Sequence, residues 1–211
     1  MEIKQNNLIK SLKIQPLIVV IRLEHTFFNI THKRNDLLLK IEKLSNHGIK
    51  NIEIGWDSNP EWGNLILEIK KKFKSINIGV ASITSRQSLD SIRSLDINYS
   101  MSPFFNREIH LNAIKYNQLV IPGISNIENF KEAINLGYKI VKIYPASKLG
   151  INFINDLQNI KKKDIFFIGA GGIKSKNLKK LLESGYDALV IGKELRNQTP
   201  DKDLEIWLKD Y

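Results

Sequence analysis

The 211-residue sequence contains no cysteine. That absence excludes disulfides, thiolate nucleophiles and cysteine metal sites, and a cytoplasmic protein is the simplest expectation. Missing too is any run of about 18 apolar residues, the length a membrane-spanning helix needs. Residues 1–7, Met1-Glu2-Ile3-Lys4-Gln5-Asn6-Asn7, have no apolar signal-peptide core, so no membrane partner is expected. Histidine is scarce: His25, His32, His47 and His110 are all there is. They show no ligand spacing with one another or with a carboxylate pair and are read as surface residues, so no metal site is expected.

Positive charge is plentiful. Lys and Arg number 32 against 22 Asp and Glu, a net charge of +10, which makes nucleic acid the first partner class to weigh. The lysines, however, are spread along amphipathic segments. The two runs, Lys70-Lys71-Lys72 and Lys161-Lys162-Lys163, have no interleaved aromatics and fall where helices are expected to end, where cations complement the helix dipole. A solvated basic surface and no nucleic-acid partner follow, and the same field suits a phosphorylated small substrate.

The 42% hydrophobic content supports a sizeable core. A lead-in helix is predicted over residues 1–15, with Leu8, Ile9 and Leu12 on one side. Strands are predicted at 16–22, 49–56, 76–83, 97–104, 119–124, 139–146, 164–170 and 188–192. Helices fall between and after them, near 29–46, 60–73, from 85, 106–116, 127–136, 152–160, 176–183 and 201–210. A weak repeat marks the unit: His47-Gly48-Ile49, Leu136-Gly137-Tyr138 and Ser184-Gly185-Tyr186 each place a glycine helix cap just before a buried strand. Eight strands alternating with helices, with no linker, predict a single α/β domain over 1–211, a closed (β/α)8 TIM barrel.

Side chains alternate along a strand, so Ile140, Lys142 and Tyr144 share one face of the sixth. A lysine among apolar neighbours loses basicity, which Schiff-base chemistry on a ketone requires; the structural alternative is a lysine whose head reaches water. In the second strand Ile52 and Ile54 face the helices, so Glu53 points inward. Strands two and six are both even-numbered and feed the same interior layers. Glu53 and Lys142 can therefore approach one another directly or through a water, as catalytic partners or as a buried ion pair. The seventh strand ends in Gly169-Ala170-Gly171-Gly172-Ile173 before a helix, and the eighth in Ile191-Gly192-Lys193. Bare amides of Gly171, Gly172 and Gly192 at these two loops, with Lys193 adding charge, are a candidate phosphate site.

Several of these stretches, taken together, resemble a known family. They are Val20-Ile21-Arg22, Ile52-Glu53-Ile54, Gly79-Val80-Ala81-Ser82, Ser102-Pro103, Ile121-Pro122-Gly123-Ile124-Ser125, Val141-Lys142-Ile143-Tyr144-Pro145-Ala146 and Gly171-Gly172-Ile173. In this order they resemble the 2-keto-3-deoxy-6-phosphogluconate (KDPG) aldolases, class I pyruvate-forming enzymes with 4-hydroxy-2-oxoglutarate and 6-phosphogalactonate variants. Asp57-Ser58-Asn59-Pro60-Glu61-Trp62 looks closest to the phosphogalactonate branch. The resemblance implies a Schiff base on Lys142, proton transfer by Glu53, and substrate binding by Arg22, Ser82 and Pro122. It implies cleavage of a 2-keto-3-deoxy sugar acid, 6-phosphorylated, to pyruvate and an aldehyde such as glyceraldehyde 3-phosphate. No cofactor is called for, because the protonated imine is itself the electron sink. It also implies a homotrimer. Four departures stand out: Asp57 where Arg or Asn is frequent, Ser82 for threonine, Ala170 for threonine, and Lys193 for a phosphate-binding serine. Asp57 would repel a substrate carboxylate if it pointed inward. The alternative is a phosphate-binding TIM barrel, isomerase-like or a non-catalytic metabolite binder.

Overall fold

A computed structural model of the protein describes residues 1–24, 26–160, 164–192 and 201–211. The expectations for His25, for the lysine run 161–163 and for Lys193 lie outside those residues. Helix α1 (Glu2–Ile14) leads into β1 (Leu17–Ile21), α2 (Thr31–Asn46), β2 (Asn51–Gly55) and α3 (Trp62–Lys72). The chain continues through β3 (Asn77–Ala81), α4 (Arg86–Arg93), β4 (Ser100–Met101) and α5 (Arg107–Lys115). Two short segments, β5 (Val120–Ile121) and β6 (Gly123–Ile124), come before α6 (Ile127–Asn135) and β7 (Ile140–Ile143). Then follow α7 (Ala146–Ile160), β8 (Phe166–Ala170), α8 (Leu178–Glu183), β9 (Ala188–Ile191) and α9 (Lys202–Leu208).

The strands are parallel and run in the order β5-β4-β3-β2-β1-β9-β8-β7-β6. The two ends of that order, β5 and β6, are consecutive pieces of one extended run, so the sheet closes on itself as the predicted parallel α/β barrel. The fifth strand is in two pieces because Pro122 has no N–H for the ladder. Before it, Val120 and Ile121 pair with Ser100 and Met101; after it, Gly123 and Ile124 pair with Lys142 and Ile143. Closure therefore happens at the proline.

The strands are apolar runs covered on both faces, as the all-parallel arrangement demands; β2, β7, β8 and β9 are buried along their whole length. Four helices are started by side-chain caps: Ser85, Asn106, Asn126 and Asp201 accept from the amides of Ser88, Ile109, Asn129 and Leu204. The strand predicted at 97–104 contracts to Ser100–Met101. Helix α7 begins at Ala146, before the predicted 152, and is two helical pieces joined at Gly150, whose φ of +71° is not helical.

Helix α1 packs across the N-terminal end of the barrel and is tied there by two buried glutamines. Gln15 donates through Nε2 to the Gly48 carbonyl (3.0 Å) and accepts at Oε1 from the Lys50 amide (2.9 Å). Gln5 makes the same pair of bonds to the Gly137 carbonyl (3.2 Å) and the Lys139 amide (2.7 Å). Each clamp grips a strand entrance just past a glycine helix cap. Gly48 and Gly137 have φ of +86° and +89°, the left-handed turn that ends a helix. Among the described residues, no helix is long and apolar enough to cross a membrane.

Candidate active site

The C-terminal ends of the strands surround a cavity of about 220 Å³. Alternation delivers to it the side chains that register predicts. Glu53 of β2 and Lys142 of β7 both line it, with Tyr144 two residues beyond the lysine. Arg22, Ser82, Gly171, Gly172 and Gly192 stand around its mouth, and Val20, Ala81, Pro103, Ala170 and Val190 form an apolar wall.

Pro122 is the exception among the expected lining residues. Gly123 is the register partner of Lys142 and faces the interior with it, so Pro122, one residue earlier, faces the helices. The barrel wall is completed there by Pro103 instead. What Pro122 contributes is its carbonyl, which accepts the Lys142 amide at 2.9 Å.

Glu53 and Lys142 are 2% and 7% exposed, and burial governs both. Desolvation raises the Glu53 carboxyl to about 7 even though the charges of Lys142 and Arg22 oppose it. Desolvation likewise lowers the Lys142 ammonium to about 8, opposed by Glu53 and reinforced by Arg22. The two attract across the cavity without forming a direct ion pair, and Glu53 Oε1 has no hydrogen-bond partner among the described residues. The Lys142 Nζ instead lies 5.3 Å from the centre of the Tyr144 ring, within cation–π range. Tyr99 is a buried neighbour not anticipated from sequence. Its hydroxyl has no partner among the described residues, and burial followed by the Glu53 charge raises its pKa.

Arg22 sits beyond the end of β1 and reaches Ser82 beyond β3, donating from Nη1 to the hydroxyl at 2.9 Å. Ser82 holds a φ of +69°, a left-handed conformation that costs about 1–3 kcal/mol in a non-glycine residue and presents its hydroxyl to the arginine. The glycine turn is also left-handed, with φ of +91° at Gly171 and +74° at Gly172. A Cβ on Gly172 would lie 2.2 Å from the Ser147 hydroxyl. The expected helix does not begin at this turn: a 3-10 turn over Ser175–Asn177 intervenes before α8. The amides on offer are those of the turn itself, a backbone nest suited to an anion.

Asp57 does not line the cavity. Its Oδ1 accepts the Asn59 amide at 2.8 Å, an Asx turn that helps launch α3, so the feared repulsion has no inward carboxylate to cause it. His110, read as a surface residue, is instead wholly buried. Its ring stacks on Phe105 at 5.0 Å. Burial, partly offset by the hydrogen bond the ring donates to the Asn106 carbonyl and aided by the Lys142 charge, lowers its pKa to about 4. The signal was available, because residue 110 falls on the same helical face as Ala113 and Ile114. Among the described residues no group of three or more His, Asp or Glu side chains is placed to hold a metal ion.

Known proteins resemble this chain in sequence and in fold. Residues 7–205 match the family described as KDPG and KHG aldolase. The 2-dehydro-3-deoxy-6-phosphogalactonate aldolase of Escherichia coli (strain K12) is 24% identical over 182 residues, 85% of this chain and 84% of that protein. The fold superposes on the KDPG aldolase of Zymomonas mobilis ATCC 29191 with a TM-score of 0.78 at 18% identity, covering 96% of this chain and 95% of that one. It also superposes on the KDPG aldolase of Legionella pneumophila, solved with pyruvate captured as a covalent carbinolamine. There the TM-score is 0.74 at 21% identity, covering 92% of this chain and 87% of that one. With nearly its whole length matched, this chain belongs to the KDPG and KHG aldolase family, a family of class I aldolases.

Proposed function

We propose that this protein cleaves a phosphorylated 2-keto-3-deoxy sugar acid to pyruvate and an aldehyde such as glyceraldehyde 3-phosphate, through a Schiff base on Lys142. The observation that carries the reading is a buried lysine of lowered basicity, facing a buried carboxyl of raised pKa across one cavity at the C-terminal end of the barrel. The neutral amine of Lys142 adds to the C2 ketone, and loss of water from the carbinolamine gives the protonated imine. Glu53 moves the protons of these steps. Ionised, it takes the C4 hydroxyl proton as the C3–C4 bond breaks and its electron pair enters the iminium. The aldehyde departs, C3 of the enamine is protonated, and water releases pyruvate from the lysine.

Two polar stations at the mouth suit a substrate anionic at both ends. On this reading Arg22, hydrogen-bonded to Ser82, takes the carboxylate with it, and the amides of Gly171, Gly172 and Gly192 take the phosphate. A guanidinium on one side and a glycine turn of bare amides on the other, around one cavity with Lys142, support a phosphorylated acid over a short keto acid. By family resemblance the assembly is a homotrimer, which light scattering at working concentration would read directly.

The test is incubation with pyruvate, reduction with borohydride and peptide mass spectrometry. A pyruvyl adduct on Lys142, absent from Lys142→Ala, is the expected result. No adduct on folded wild-type protein would overturn the reading and leave a barrel that binds phosphorylated metabolites without Schiff-base chemistry.

A further inference from the structure

The proposed chemistry leaves a buried polar chain behind the lysine unused. At the break in the fifth strand the Gly123 amide, with no strand partner on the β4 side, donates to the Ser102 hydroxyl at 3.3 Å. That hydroxyl lies 3.3 Å from His110 Nε2, and His110 Nδ1 lies 2.7 Å from the Asn106 carbonyl. The Asn106 amide also approaches Nδ1, at 3.3 Å, but the much shorter contact to the carbonyl favours the proton on Nδ1, because two lone pairs would otherwise face each other. Nε2 is then an acceptor for the Ser102 hydroxyl, whose single proton is shared between it and the Ile121 carbonyl, also at 3.3 Å. The chain thus links the Gly123 N–H to Ser102, Ser102 to His110 Nε2, and His110 Nδ1–H to the Asn106 carbonyl.

The far end of this chain is the Pro122–Gly123 peptide. Its N–H is held by Ser102, and its C=O accepts the amide of Lys142 at 2.9 Å. One peptide plane is thus fixed on one edge by the histidine relay and on the other carries the backbone of the lysine. The plane has little room to rock, since a Cβ on Gly123 would lie 2.2 Å from the Pro103 carbonyl. The imidazole is locked in turn, stacked on Phe105 and meeting Tyr138 edge-on at 5.5 Å. Neither Ser102 nor His110 lines the cavity.

We propose that Ser102 and His110 are positioning residues, holding the Pro122–Gly123 peptide so that the strand beyond it presents the Lys142 amine to the ketone. The inference rests on the Schiff-base reading above. Misplacing a nucleophile by about 1 Å slows reaction by up to ~10²-fold, so Ser102→Ala and His110→Leu are expected to slow capture by about 10–100-fold at saturating pyruvate. His110→Gln, which retains an acceptor near the Nε2 position, and Ser102→Thr, which retains the hydroxyl, are expected to stay within about threefold of wild type.

The experiment measures the rate of reductive trapping of pyruvate on Lys142 against pyruvate concentration, well below each variant's unfolding midpoint. Positioning lowers the saturating rate and leaves the half-saturating concentration unchanged; a purely structural role changes only the folded fraction. Wild-type saturating rates in folded Ser102→Ala and His110→Leu would overturn the relay while leaving the aldolase reading intact. Equal losses in the leucine and glutamine variants, scaling with lost stability, would also overturn it. If His110→Leu does not fold, the Ser102 pair decides. Absence of any adduct on wild type would instead remove the Schiff-base reading, and the relay with it.

Discussion

A buried lysine kept for chemistry should destabilise the fold that carries it, and Lys142→Met tests this. The ammonium, ordinarily at 10.5, is brought down to about 8, chiefly by burial. The folded state therefore disfavours the charged lysine by about 3 kcal/mol relative to the unfolded chain. A depressed lysine binds its proton less well folded than unfolded. The penalty is complete below pH 8 and fades as the pH rises from 8 to 10.5. Methionine has a similar unbranched shape and no charge. Its replacement forfeits the contact with Tyr144, about 0.5–1 kcal/mol, and leaves Glu53 to take up a proton at neutral pH. The net expectation is a gain of about 2 kcal/mol at pH 6.5, raising Tm by roughly 4–8 °C, and little or no gain at pH 10. Urea unfolding at the two pH values reads it directly. A methionine variant less stable than wild type at pH 6.5, or a gain equal at both pH values, would refute the reasoning, because the lysine would then not be paying a desolvation penalty.

Glu53→Gln should fold and lower turnover by ~10²–10⁴-fold, the usual loss for a general acid–base group. The raised carboxyl ionises only near pH 7, so wild-type trapping should fall as pH drops through that region. The glutamine variant should lack this limb, and an unchanged limb would assign it elsewhere in the coupled pair. Gly172→Ala puts a Cβ at φ +74° and 2.2 Å from the Ser147 hydroxyl. It should weaken binding of inorganic phosphate by about tenfold or more, ~1.4 kcal/mol, with pyruvate trapping unaffected, as calorimetry beside adduct mapping would show. Gln15→Leu strips the partners of the Gly48 carbonyl and the Lys50 amide. It should cost about 1–3 kcal/mol in urea unfolding and leave the trapping rate alone, because the clamp lies at the opposite end of the barrel.

Much of this was legible from strand parity alone. Alternation placed Glu53 and Lys142 inward, and the register of β2 and β7 agrees. The same parity applied from Gly123 puts Pro122 on the outer face; its expected place at the substrate followed the resemblance instead. The strand predicted at 97–104 shortens to Ser100–Met101, the only residues paired with both β3 and β5, and Pro103 has no N–H to carry the ladder further. Asp57-Ser58-Asn59-Pro60 carries an Asx-turn pattern, which explains the aspartate locally. The glutamine clamps were beyond local reading, since Gln5 meets Gly137 across 132 positions of sequence. Only the closed barrel brings them together.

The departure at Asp57 bears on what the site accepts. A carboxylate at the mouth could neutralise Arg22, and then the cavity would favour a less charged ligand. The structure pairs them otherwise. Asp57 is engaged with its own backbone turn, whereas Arg22 is oriented by the neutral hydroxyl of Ser82 and has no carboxylate partner among the described residues. A neutral acceptor fixes the geometry of a guanidinium without cancelling its charge, so its full attraction remains for an incoming anion. That same charge helps depress Lys142. An anion bound at Arg22 offsets the depression, and one bound at the glycine turn adds to the offset. On the proposed reading, then, the free enzyme keeps its amine least basic just before the doubly anionic substrate arrives, when a neutral nucleophile is needed.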